Sequence, residues 1–141
     1  MNTKEVIKHI KNWISQYHSN SSTNGYVIGI SGGIDSALTS TLVAETGIPL
    51  LCIEIPINQN NKHVSRGKNH ITWLKKNYKN ISSLECNLTG IFERFKSFSS
   101  EKNNNKLLAL ANTRSRLRMT TLYYYAQLNN ALVVGTGNKV E

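Results

Sequence analysis

Three runs in this chain are apolar almost from end to end: Tyr26-Val27-Ile28-Gly29-Ile30, Pro49-Leu50-Leu51-Cys52-Ile53-Glu54-Ile55 and Ala131-Leu132-Val133-Val134. A strand buried on one face alternates apolar and polar residues, whereas a strand covered on both faces does not. Between the runs lie segments of helical character, so strand and helix alternate along the chain. The pattern predicts helices over 2–18, 35–45, 63–77, 88–98 and 106–129, and strands over 26–30, 49–55, 81–86 and 131–135. Parallel strands need long crossovers, and these helices supply them. The expected class is α/β, a doubly wound parallel sheet of Rossmann-like form.

Nothing divides the chain. At 141 residues it is long enough for one core and too short for two. No repeat or linker interrupts 1–141, and the one biased patch is the Asn-rich 102–106, inside a polar connection (99–106) expected to move. No apolar segment nears the roughly 18 residues that cross a bilayer. The first 17 residues read as an amphipathic helix rather than a signal peptide, with Ile7, Ile10 and Ile14 at helical spacing. A cytoplasmic protein without a membrane partner is expected. Cys52 and Cys86 form no CxxC and read as reduced thiols. His9, His18, His63 and His70 read as surface groups. The net charge of +9 favours anionic ligands, but the lysines form no tract that would mark a nucleic-acid surface.

The chemistry concentrates where the first strand meets its helix, in Gly29-Ile30-Ser31-Gly32-Gly33-Ile34-Asp35-Ser36. Ligands of open α/β sheets bind at the carboxyl ends of strands. Two glycines let the backbone turn sharply and approach an anion without Cβ interference. The following helix aims free N–H groups and the positive end of its dipole at the same place. Ser31 and Ser36 add hydroxyls. The string is neither a Walker A loop, since no lysine follows Gly33, nor a complete GxGxxG. An aspartate beside a phosphate requires a cation between them, and Mg²⁺ held by Asp35 meets that requirement. A lone Gly-Gly turn with an aspartate also reads as a helix cap. The full S-G-G-x-D-S string between strand and helix favours a phosphate cradle.

"SGGIDS" is similar to the pyrophosphate loop of the N-type ATP pyrophosphatases, whose fold is the adenine-nucleotide alpha-hydrolase type. The C-terminal third narrows the resemblance. Asn112, Arg116-Leu117-Arg118-Met119, the aromatic Tyr123–Tyr125 and Gly135-Thr136-Gly137-Asn138-Lys139-Val140-Glu141 resemble the NAD synthetase pattern, of the ammonia-dependent type. The resemblance implies a ligase that adenylates nicotinic acid adenine dinucleotide with ATP and Mg²⁺, then amidates it with ammonia to give NAD, AMP and pyrophosphate. It implies that Gly29 to Ser36 and Thr136 bind ATP, that Asp35 and Glu141 hold Mg²⁺, and that Arg116 contacts the dinucleotide. It also implies a homodimer and no nucleic-acid partner.

Two points rest on the residues themselves. Thr136 and Glu141 follow an apolar strand, which puts them on the same carboxyl edge as the glycine turn. Arg116 and Arg118 stand two apart on a helix and cannot share a face. Arg116 is the expected substrate contact, with Arg114 or Arg118 as substitutes. No side chain reads as a catalytic nucleophile. Relatives of this kind continue well past the position of Glu141, so a C-terminally truncated, partial domain is expected. The alternatives are another pyrophosphatase-loop enzyme, modifying tRNA or resembling GMP synthetase, and an inactive nucleotide-binding copy.

Overall fold

A computed structural model of the chain describes residues 2–59, 61–98 and 103–137. Helix α1 (Thr3–Ser19) leads to β1 (Gly25–Gly29), followed by α2 (Ile34–Ala44), β2 (Leu50–Glu54), α3 (Asn61–Asn77), β3 (Ile81–Glu85), α4 (Thr89–Phe98), α5 (Lys106–Leu128) and β4 (Ala131–Val133). Every expected element is present, with ends moved by one or two residues. The connection at 99–102 lies outside the described residues.

The strands form one sheet in the order β3-β2-β1-β4, and every pairing is parallel. From β1 the chain steps outward through β2 and β3, then returns across the sheet to lay β4 on the other side of β1. This reversal places a crevice beyond the carboxyl ends of β1 and β4, the position where such sheets bind ligands. The register aligns Tyr26 with Leu50 on one side and with Leu132 on the other.

Both faces of the sheet are covered, as the unbroken apolar runs require. On one side Tyr26, Ile28, Leu50 and Cys52 pack against Ile14 of α1, Val43 and Ala44 of α2, and Ile71 and Leu74 of α3. On the other, Val27 and Ile53 pack against Phe92 of α4 and Leu122 and Ala126 of α5. Val27, Ile28, Cys52 and Ile53 are completely shielded from solvent. Each buried aliphatic side chain of this kind contributes about 1.5–3 kcal/mol. The Tyr26 hydroxyl donates to the Ile14 carbonyl at 2.7 Å, which fastens α1 to the sheet.

Burial also settles the thiols and two histidines. Cys52 and Cys86 are both free. Burial pushes the Cys52 thiol up to about 12, so it is no nucleophile at neutral pH. His18 and His70 are partly buried, a departure from the surface reading. His18 lies with its ring centre 5.6 Å from that of Tyr26. His70 joins α3 to α2 through a 2.8 Å hydrogen bond between its Nε2 and the Ser40 Oγ.

Two outcomes test this packing. A Cβ on Gly25 would stand 2.4 Å from the Pro49 carbonyl oxygen, a backbone atom that cannot swing away. Gly25→Ala is therefore expected to destabilise the protein by about 1–3 kcal/mol in chemical denaturation. Burial holds the His70 imidazole below its ordinary value of 6.5. The unfolded chain then binds the proton more readily, so this contribution is complete above pH 6.5 and is lost as the pH falls below it. The melting temperature should decline less steeply between about pH 7 and 5 in His70→Gln than in the wild type, as followed by circular dichroism.

Candidate functional site

The first turn of the site is built by two hydroxyls and a glycine in the left-handed region. Gly32 has φ +79°, a conformation that a side chain would strain. Gly33 then returns to extended backbone and caps α2 without any side-chain bond. The Ser31 Oγ accepts the Gly33 N–H at 3.2 Å and lies 3.1 Å from the Ser36 Oγ, which in turn donates to the Gly33 carbonyl at 3.0 Å. The first bond of the α2 ladder is Ala37 N–H to Gly33 carbonyl, at 3.2 Å. The amides of Ile34, Asp35 and Ser36 precede it and point out of the helix end, where an anion is favoured.

Cavities open on both sides of this turn. The first, about 240 Å³, lies over the crevice between β1 and β4; Gly29, Ile30 and Ser31 border it from β1 and Thr136 from beyond β4. The hydrogen bond from Val134 N–H to the Val27 carbonyl, at 2.9 Å, carries the pairing of these strands to the brink of the cavity. Ile53, Ile55, Met119 and Leu122 make much of its wall apolar. The second cavity, about 230 Å³, lies between the turn and α3, bordered by Gly32, Gly33, Ile34 and Ser36 on one side and by Arg66 and His70 on the other.

The structure therefore brings Thr136 to the same edge as Gly29–Ser36. Other expected residues fall differently. Asp35 is exposed in the first turn of α2, borders neither cavity and has no ion pair or hydrogen bond among the described residues. Glu141 lies outside the described residues, and among those described no group of three or more His, Cys, Asp or Glu is placed to hold a metal. Arg116 is exposed on α5 and does not border the first cavity; Arg118 does. The Arg118 Nε donates to the Ile55 carbonyl at 3.0 Å, and burial, with the Arg114 cation as a lesser cause, pulls its guanidinium below the ordinary arginine range.

Gln59, Ser115 and Met119 also border the first cavity, and they were missed along with Arg66 and His70 beside the second. A signal for some of them exists. Ser115, Arg118, Met119 and Leu122 are spaced i, i+3, i+4, i+7, a single face of α5. Gln59 follows β2, another strand whose carboxyl end opens on this edge.

Comparison with known proteins agrees with this geometry. The family model described as NAD synthase matches residues 6–141. The NH(3)-dependent NAD(+) synthetase of Carboxydothermus hydrogenoformans is 33% identical, over all of this chain and 57% of its own length. That of Malacoplasma penetrans is 36% identical, over 97% of this chain and 53% of its own length. A structure of NMN synthetase from Francisella tularensis superposes with a TM-score of 0.86 at 34% identity, over 98% of this chain and 56% of the other. The NH3-dependent NAD synthetase of Campylobacter jejuni gives a TM-score of 0.86 at 29% identity, over 99% and 58%. This chain thus spans about half the length of the relatives it matches. With its parallel sheet, its glycine turn and a family match that runs through nearly every residue, the chain belongs to the NAD synthase family.

Proposed function

We propose that the protein carrying this chain amidates nicotinic acid adenine dinucleotide with ammonia, using ATP to activate the nicotinate carboxylate and releasing AMP and pyrophosphate. The observation that carries the reading is the meeting of the Ser31–Ser36 turn and Thr136 at one sheet edge, in a chain of the NAD synthase family. The apolar wall of the first cavity suits a nucleoside, and the open amides of α2 suit its phosphates. Gly29, Ile30, Ser31, Gly32, Gly33, Ile34, Asp35, Ser36 and Thr136 form the ATP site in this proposal.

The donor set is compatible with Mg²⁺. This ion takes one or two carboxylates and completes its shell with water and phosphate oxygens. Asp35 offers an unpaired, exposed carboxylate at the mouth of the turn, and Glu141 would be the second. Held there, Mg²⁺ would offset the charge of the phosphates and of the departing pyrophosphate. The chain's own contribution is positioning: backbone amides face the phosphates, and the α2 dipole favours the charge that accumulates on the leaving group.

Arg116 projects from the exposed side of α5, away from the first cavity. In this proposal it meets the dinucleotide across a homodimer interface. The exposed Leu107, Leu108, Tyr123, Tyr124 and Leu128 of the same helix give that interface its apolar surface. Free Cys52 and Cys86 suit a reducing cytoplasm. A second reading has specific support: the similarity to the Francisella tularensis NMN synthetase admits a mononucleotide as the acid that is amidated.

The test supplies the full-length protein with ATP, Mg²⁺ and ammonium, and with either the dinucleotide or the mononucleotide acid. Mass spectrometry is expected to show NAD with equal amounts of AMP and pyrophosphate. Amidation of the mononucleotide alone would select the second reading, and no amide from either acid would end both. Asp35→Ala should lower Mg²⁺-dependent pyrophosphate release by about 100-fold with an unchanged circular dichroism spectrum. Arg116→Ala should raise the KM for the dinucleotide by roughly tenfold and leave the KM for ATP in place, the loss expected for one charged hydrogen bond.

A further inference from the structure

The second cavity contains a cation that the nucleotide reading does not use. Arg66 and His70 stand one turn apart on α3 and face the cavity from the side opposite Gly32, Gly33 and Ser36. At about 230 Å³ the space far exceeds the roughly 10–15 Å³ that one water needs. One wall is thus the glycine turn and Ser36 at a helix N-terminus, with Ile30, Ile34 and Ala37 beside them, and the other carries a guanidinium and an imidazole.

The two basic residues differ in kind. His70 is partly buried, with its Nε2 2.8 Å from the Ser40 Oγ. That hydroxyl has a single proton, and it donates to the Ala37 carbonyl at 3.0 Å. The ring nitrogen is therefore the donor to Ser40, and neutral His70 satisfies this arrangement. His70 forms the inner wall and fixes α3 against α2. Arg66 is the permanent charge. It is exposed and makes no ion pair or hydrogen bond among the described residues. The acids on the neighbouring strands β2 and β3 have another cation: Lys68 pairs with Glu85 at 2.8 Å and also acts on Glu54. Arg66 is left with the cavity.

We propose that Arg66 binds the polyphosphate end of the nucleotide in this second cavity, so that the glycine turn divides the site, with the nucleoside on the Thr136 side and the terminal phosphates on the Arg66 side. The inference rests on the ATP reading above and extends it. A guanidinium engages two phosphate oxygens at once with a fixed fork, whereas the turn amides approach from the opposite face. The ligand class is an inorganic or nucleotide-borne polyphosphate, and AMP is too short to reach.

The experiment titrates the whole chain calorimetrically with inorganic pyrophosphate, ATP and AMP in the presence of Mg²⁺, for the wild type, Arg66→Met and Arg66→Lys. Arg66 is exposed, so both variants should melt with the wild type. Arg66→Met should weaken pyrophosphate and ATP binding tenfold or more and leave AMP binding unchanged, with Arg66→Lys recovering part of the loss. Unchanged pyrophosphate and ATP affinity in Arg66→Met, or equal losses for all three ligands, would overturn the role. The two readings fail separately. A wild type that binds ATP as tightly as Arg66→Met does keeps the nucleotide reading and ends the Arg66 inference. A wild type that binds pyrophosphate through Arg66 and does not bind ATP keeps the anion pocket and ends the nucleotide reading.

Discussion

Strand β1 is hydrogen-bonded along both edges and buried on both faces, and the geometry of the site follows from that confinement. Tyr26 and Ile28 face one core, Val27 the other, and the three have at most 6% of their surface accessible. Neighbours β2 and β4 clamp the strand laterally. The Ile30 N–H donates to the Ile53 carbonyl at 2.9 Å, so the clamp extends one residue past the strand, to the threshold of the glycine turn. A turn attached to so rigid a support keeps its amides aimed without a ligand, the condition under which fixed dipoles stabilise developing charge most effectively.

The reversal of strand order then sets what else can reach that turn. Because β4 returns beside β1, Thr136 comes from a part of the chain more than a hundred residues away in sequence. Because α3 follows β2, Arg66 and His70 arrive on the other flank. The two flanks differ chemically: the α5 side is mainly apolar and its Arg118 is tied to the Ile55 carbonyl, whereas the α3 side presents Arg66, which has no ion pair or hydrogen bond among the described residues. In the proposed site that contrast would correspond to the two ends of a nucleoside triphosphate. The net charge of +9 adds a general field that favours anions, but the placement of particular cations would be what distinguishes one end of the proposed ligand from the other.

How much of this is legible in the sequence varies with the element. The strands are legible because burial on both faces forces unbroken apolar runs, and the turn because Gly32 and Gly33 with flanking serines have few other uses at a strand-to-helix junction. The fold class follows from their alternation. Helix α5 is harder to read. Its exposed Leu107, Leu108, Tyr123, Tyr124 and Leu128 spread apolar side chains around the cylinder, which hides the face formed by Ser115, Arg118, Met119 and Leu122. Helical spacing puts Arg118 on that face and Arg116 off it, but spacing alone does not say which face of α5 meets the cavity. Arg66 and His70 sit in a polar helix where an i, i+4 pair carries no meaning until α2 is laid beside it. Asp35 shows the reverse case: its motif is plain, but its exposed side chain borders neither cavity, and its role depends on an ion and on residues beyond 137.

The hydroxyl of Ser31 accepts the Gly33 amide, a donor that a phosphate oxygen would take in the proposed site. The loop thus satisfies this amide from within, with an internal surrogate for the oxygen that the proposed ligand would bring. In the proposed site, arrival of a nucleotide would exchange one oxygen for another at that amide and leave the number of bonds unchanged, so the amide itself would add little to ground-state affinity. What the exchange would liberate is the Ser31 oxygen, while its proton stays directed at the Ser36 hydroxyl. Under the proposed activity, a loop arranged in this way would hold its shape between turnovers and still let go of a tightly charged product, because its own hydroxyl stands ready to resume its place.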